Sequence, residues 1–163
     1  MLKSLVIIAL SLTSSLSLAD YKRADWPHWK DLDGDCQSAR VEILIRDNIG
    51  QLNYRTNRQC KVVSGLWILP YKGGVERNVR NIDIDHIIPL KWAHDHGGAN
   101  WSPTKKTAFA NDPENLLATT ASANRQKGAK GPKAWIPLVN RCSYGIHWLY
   151  LLTKYELNVV AQI

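Results

Sequence analysis

The sequence predicts a single small domain of the α+β class, and three observations support this. The chain of 163 residues suits one compact domain preceded by a short leader. Apolar residues recur at helical spacing over about residues 36–48 and 141–155. Between these segments, short apolar runs are separated by turn residues, a pattern that is typical of strands.

The first nineteen residues are predicted to be a secretory signal peptide. Lys3 gives a positive start, Leu5 to Leu18 is apolar, and Ala19 ends the segment with a small side chain. The apolar stretch is too short to span a bilayer. We therefore expect cleavage before Asp20 and an exported domain, residues 20–163, with no membrane segment, in the periplasm or the medium.

Composition favours a polyanionic partner and an oxidising compartment. The formal charge is +7 and falls to +6 without Lys3, and a compact basic domain attracts polyanions such as nucleic acid. In an exported protein at least one pair among Cys36, Cys60 and Cys142 should be oxidised. We prefer Cys36–Cys60, because both lie in the N-terminal half, and the other pairings stay open. The cysteine spacings match no zinc site.

The N-terminal half is predicted to hold one helix and a short β-hairpin. The helix would run from about Cys36 to Asn48, with Asp35 as its cap rather than as part of a calcium loop. Its inner face would carry Val41, Leu44 and Ile45. The hairpin would comprise Gln59–Val63 and Leu66–Leu69, joined at Ser64-Gly65.

A strand that presents acidic side chains is predicted in the middle of the chain. Isoleucines alternate with Asp83 and Asp85 from Ile82 to Ile88, and Pro89 ends the run. Successive side chains of a strand point to opposite faces, so the two aspartates should share one face. His86 follows Asp85 directly.

A second strand and a helix should follow this acidic strand. Asn115 to Thr119 is predicted to be the strand, and Ser122 to begin a helix that carries Asn124 and ends at Gly128. The C-terminal helix, residues 141–155, should bury Trp148, Leu149, Leu152 and Tyr155.

The carboxylate, histidine and amide side chains fit hydrolysis of a phosphodiester. Histidine is the usual general base near neutral pH, and His86 is our candidate. A hard divalent cation prefers oxygen ligands and keeps several waters, so Asp85 and Asn124 would suffice to hold it. We expect Mg²⁺, with Mn²⁺ as a plausible substitute.

These residues resemble the ββα-metal fold of the His-Asn-His (HNH) endonucleases, and in particular their secreted bacterial branch. Asp85-His86, Asn115 and Asn124 match the three elements of the motif in order. Further stretches resemble that branch: Asp33-Gly34-Asp35-Cys36, Gly97-Gly98 with Trp101, Phe109-Ala110-Asn111-Asp112, Lys130-Gly131-Pro132 and Trp135-Ile136-Pro137. The resemblance implies a ββα-metal core at about residues 82–131.

The resemblance also implies a mechanism. His86 would activate water, Asp85 and Asn124 would hold the metal, and Asn115 would fix the loop and the orientation of the histidine. The metal would stabilise the leaving 3′-oxygen, and cleavage would leave a 5′-phosphate. The expected substrate is DNA, with RNA left open, and low sequence specificity follows because no recognition domain is visible.

Several side chains around the motif are assigned supporting roles. Asp83 is interpreted as a structural hydrogen-bond acceptor, with orientation of a ligand or a second ion as alternatives. Arg125, Lys127, Lys130 and Lys133 follow the motif and are predicted to contact nucleic acid. His94 and His96 are placed in a loop, where a zinc site is the less favoured interpretation.

Two other functions are compatible with the sequence. One is a nucleic-acid-binding module that does not cut, and the other is a phosphodiesterase for small substrates. We expect a monomer, and an immunity or inhibitor protein is left open as a partner.

Overall fold

Five helices and five strands form the part of the chain that the computed structural model describes, residues 20–158. The helices are α1 (Ala39–Arg46), α2 (Leu90–Asp95), α3 (Pro103–Asn111), α4 (Ala121–Lys127) and α5 (Arg141–Tyr155). The strands are β1 (Asn53–Tyr54), β2 (Val62–Ile68), β3 (Val75–Asn78), β4 (Ile82–His86) and β5 (Leu116–Thr120). This mixture of helices and antiparallel strands confirms the α+β class.

The predicted signal peptide lies outside the described residues. Within residues 20–158, no helix has the length and apolar character needed to cross a bilayer.

One sheet has the strand order β1-β2-β3 and is antiparallel throughout. The predicted hairpin at Ser64-Gly65 is wrong, because β2 runs straight through these residues. Gly65 serves close packing here: an added Cβ would lie 2.6 Å from Asn48 Oδ1 and 2.7 Å from the Trp67 ring. Asn48 Oδ1 also accepts from the backbone N–H of Leu66. A glycine that looked like a turn signal instead makes room for a neighbouring side chain.

Helix α1 begins later than predicted. Cys36 has a φ of +77°, which is not helical, and the Asp35 side chain accepts from the Gln37 N–H ahead of the helix. Asp35 is therefore not the cap; Ser38 precedes the first helical residue. Leu44 is buried as predicted.

The acidic residues before α1 are spaced as in a calcium loop, which the sequence interpretation did not favour. Asp31, Asp33 and Asp35 are exposed, and their carboxylate oxygens lie within 4.8 Å of one another. Glu42 stands at the twelfth position counted from Asp31, where a calcium loop carries a glutamate. Burial and then the charges of the three aspartates raise the pKa of Glu42.

The predicted disulfide between Cys36 and Cys60 is confirmed. The two Cα atoms are 5.3 Å apart, and the bond ties the loop before α1 to the segment before β2. Cys142 is a free, exposed cysteine on α5.

The paired strands β4 and β5 lie between α1 and α4. They are antiparallel, from Ile82 opposite Thr120 to His86 opposite Leu116. Ile82 and Ile84 pack in one buried cluster with α1, while the two aspartates of β4 bond to side chains of α4. The predicted alternation is therefore confirmed, although β4 ends two residues before Ile88.

A second buried cluster joins α2, α3 and α5. Trp26, Phe109 and Leu151 are fully buried within it. Trp148, Leu152 and Tyr155 of α5 face inward as predicted, but Leu149 is 62% exposed. α3 is thereby held beside the end of β4.

Candidate active site

A cavity of about 320 Å³ opens at the end of β4 and contains the three predicted key residues. Asp85, His86 and Asn124 all line it. Strand alternation places His86 on the face of Ile84 and Asp85 on the opposite face. Both residues nevertheless line the cavity, which lies at the end of the strand.

His86 is held in one tautomer by a backbone carbonyl. Its Nε2 lies 2.8 Å from the Ala110 carbonyl oxygen, which can only accept, so Nε2 carries the proton and Nδ1 keeps a lone pair. The side chain is buried, and burial lowers the pKa of His86 to about 3, aided by the positive charges of Arg23 and Lys127 and opposed by the bond to Ala110. His86 is therefore neutral near pH 7, as a proton acceptor must be.

Two side chains hold Asp85 through the same carboxylate oxygen. Oδ2 accepts from the Tyr71 hydroxyl at 2.8 Å and from Lys127 Nζ at 2.9 Å. Burial raises the pKa of Asp85 and lowers that of Lys127, and each charge opposes the shift of the other. These bonds engage Oδ2, and Oδ1 is the other potential ligand atom.

Lys127 is buried, which contradicts the prediction that it contacts nucleic acid. Its side chain is completely buried, and its ammonium group donates to Asp85 and to the backbone carbonyl of His86 at 2.6 Å. Residues three apart on a helix share a face, so Lys127 points to β4 together with Asn124. Arg125 on α4 and Lys130 after its end are exposed, and their contact with nucleic acid stays a prediction.

Asn124 is oriented by Asp83. The amide Nδ2 donates to Asp83 Oδ2 at 3.1 Å, which fixes the amide and leaves its oxygen available. Asp83 thus acts as a hydrogen-bond acceptor, in agreement with the favoured interpretation.

The donor set suits a hard cation that keeps most of its water. Asp85 and Asn124 offer oxygen atoms in one cavity, and Mg²⁺ commonly takes one or two protein oxygens. Among residues 20–158, groups of three or more carboxylate, imidazole or thiolate ligands comprise only the exposed aspartates before α1. A cation at Asp85 would therefore depend on the amide, water and phosphate oxygens.

Asn115 fixes the backbone beside the site without lining the cavity. It is fully buried; its Oδ1 accepts from the Ile88 N–H at 2.9 Å, and its Nδ2 donates to the Ile88 carbonyl. It precedes β5, in a short 3₁₀ turn, rather than lying in the strand. These contacts position the loop after β4, as predicted for Asn115. The ring of His86 is oriented by the Ala110 carbonyl and not by Asn115.

Sequence reasoning missed the N-terminal wall of the cavity. Tyr21 and Arg23 line it, and Arg23 Nη2 lies 3.3 Å from His28 Nε2. The Trp29 ring is 5.6 Å from the ring of His86. No motif marks these residues, because they lie far upstream of the Asp-His pair.

Asn111 explains how the N-terminal segment reaches the site. Its side chain accepts from the Lys30 N–H and donates to the Pro27 carbonyl, each at 2.8 Å. The neighbouring Ala110 provides the carbonyl that orients His86. One turn of α3 therefore holds both the base and the cavity wall.

The two histidines after β4 lie outside any such group of metal ligands in the described chain. His94 is buried within α2 and not in a loop as predicted. His96 stacks on Trp92, with ring centroids 3.5 Å apart.

Comparison with known proteins gives two matches. The family model described as "GmrSD restriction endonucleases, C-terminal domain" matches residues 38–153. A protein of Arthroderma benhamiae named "Uncharacterized secreted protein" is 34% identical over 145 residues, which cover 86% of this chain and 69% of that protein. No solved structure matches the chain.

Proposed function

Because the chain belongs to the family of the GmrSD restriction endonuclease C-terminal domain, an HNH-type nuclease family, we propose that it is an exported, metal-dependent endonuclease. Its substrate would be DNA, cut with low sequence specificity, and RNA stays a second candidate. The name of the secreted relative and the Cys36–Cys60 disulfide support export to an oxidising compartment.

The observation that carries the proposal is that His86, whose Nε2 is bonded to the Ala110 carbonyl, lines one cavity together with Asp85 and Asn124. Nδ1 would take a proton from a water whose oxygen attacks phosphorus. The bond from phosphorus to the 3′-oxygen then breaks, and that oxygen takes a proton from solvent. The products are a 5′-phosphate and a 3′-hydroxyl.

Asp85 Oδ1 and the Asn124 amide oxygen would hold the cation, with Mg²⁺ expected and Mn²⁺ plausible. A divalent ion supplies charge neutralisation at the phosphate and at the leaving oxygen. Tyr71 and Lys127 keep the carboxylate of Asp85 in place, and Asp83 does the same for the amide of Asn124.

Arg23 suits the phosphate itself. Arg23 lines the cavity that contains His86, and Arg binds phosphate oxygens in a two-pronged geometry. The exposed Arg125 and Lys130 would add contacts outside the cavity.

Cleavage of supercoiled plasmid by residues 20–163 tests the proposal, in Mg²⁺, in Mn²⁺ and in EDTA. We expect metal-dependent nicking that falls at least about 100-fold in His86→Ala, as for loss of a general base. His147→Ala is the matched control, because His147 does not line this cavity.

Each other result would change the conclusion. Cleavage that survives His86→Ala would show that another group is the base. Binding of plasmid without any cleavage would favour the non-cutting module. Hydrolysis of bis-p-nitrophenyl phosphate with intact plasmid would favour a small-substrate phosphodiesterase.

A further inference from the structure

A second cavity, of about 370 Å³, lies near the start of β4 and is strongly cationic. Arg40, Lys61 and Arg80 line it, and its other lining residues are uncharged. The ion pairs among residues 20–158 use other cations, namely Arg46, Lys91, Lys127 and Lys154. The three positive charges therefore face this cavity without a carboxylate partner in the described chain.

A cation beside each cavity bonds to the same edge of β4. A strand residue directs its N–H and C=O to one side, and neighbouring residues alternate. Ile87 donates to the Asn115 carbonyl on the β5 side, so the carbonyls of Ile82 and His86 face the outer edge. Arg40 donates to the first of these at 2.7 Å, and Lys127 to the second.

The spacing along this edge fits a nucleic acid backbone. Ile82 and His86 are four residues apart, or about 13 Å at about 3.3 Å per residue. Phosphates of one DNA strand recur about every 3.4 Å along the helix axis and lie farther apart along the strand itself, so this distance spans at most roughly four nucleotides.

We infer that Arg40, Lys61 and Arg80 form a second phosphate-binding subsite, at most about four nucleotides from the bond that is cut. The inference rests on the proposed function and deepens it. The substrate strand would follow the outer edge of β4, and the preferred substrate would be a polymer of several nucleotides rather than a small diester.

The test removes the two exposed cations in Lys61→Gln/Arg80→Gln and keeps Arg40, which bonds to the Ile82 carbonyl. The matched control, Lys105→Gln/Arg141→Gln, also loses one lysine and one arginine, and neither residue lines either cavity. Affinity for a fluorescent 12-base-pair duplex is measured by anisotropy in EDTA at several salt concentrations. The ratio of plasmid to bis-p-nitrophenyl phosphate kcat/KM is measured with metal.

We expect the subsite variant to bind the duplex roughly tenfold more weakly than the control, with a salt slope reduced by about 1.8. The ratio of plasmid to small-diester kcat/KM should fall by a similar factor. Equal losses in the two variants would overturn the subsite and leave only general charge attraction. A wild-type protein that binds duplex but never cuts would overturn the proposed function, while the anisotropy comparison would still decide the subsite.

Discussion

The two faces of β4 are stabilised in different ways. On one face, Ile82 and Ile84 pack against apolar side chains of α1, and burial alone suffices. On the other, Asp83 and Asp85 are bonded individually to α4 and to Tyr71. A buried polar face needs a partner for each charged atom, so it tolerates fewer substitutions than an apolar face.

The polar face should be the more sensitive to loss of one side chain. Lys127→Met keeps the volume but leaves Asp85 buried without its cation, and we expect a loss of about 3–5 kcal/mol in the free energy of unfolding. Ile43→Val, against the apolar face, should cost only about 0.5–1.5 kcal/mol. Chemical denaturation measures both. Equal losses would show that the Asp85–Lys127 pair adds nothing beyond packing.

His86 should make stability depend on pH, unlike the isoleucines of its own face. The histidine takes a proton near pH 6.5 when unfolded, but its pKa of about 3 in the folded state keeps it neutral. The stabilising contribution is complete above pH 6.5 and is lost as the pH falls toward 3. The loss in the free energy of unfolding should reach roughly 2 kcal/mol when the pH falls from above 6.5 to 5.

The measurement is thermal unfolding at pH 7.5 and pH 5 for wild type, His86→Gln and, as a control, His147→Gln. We expect the loss on acidification to be smaller in His86→Gln alone. The same loss in all three proteins would contradict the folded-state pKa of His86.

Tyr71→Phe should have a smaller effect than Lys127→Met or acidification at His86, because Asp85 keeps its bond to Lys127 when the hydroxyl is removed. We expect a loss of about 1.5 kcal/mol in the free energy of unfolding. Tyr150→Phe is the control: its hydroxyl also donates to a carboxylate, that of Glu114, but at the exposed surface. A larger loss in the control would mean that burial does not strengthen the bond to Asp85.

The sequence predicted the part of the site that belongs to the recognisable motif. Asp85 and His86 are neighbours, and Asn124 lies on the helix that follows β5, so alternation and motif order sufficed to group them. Lys127 was misplaced, although its spacing from Asn124 could have indicated that it faces the strand.

The remaining site depends on contacts that no local pattern encodes. The carbonyl of Ala110 carries no side-chain signal, and Arg23 reaches the cavity only through packing of the N-terminal segment on α3. At Ser64-Gly65, composition suggested a turn, but close packing of Asn48 and Trp67 decided the structure.

The bonds of Asn111 have a consequence for the order of folding. They connect Asn111 to Lys30, which is 81 positions earlier in the chain, and to Pro27, which is 84 positions earlier. Contacts between such distant residues form slowly, because a long loop must close first. A nascent chain that has not yet reached α3 thus lacks both the wall of the cavity and the carbonyl that orients His86, and it should emerge from the ribosome without nuclease activity.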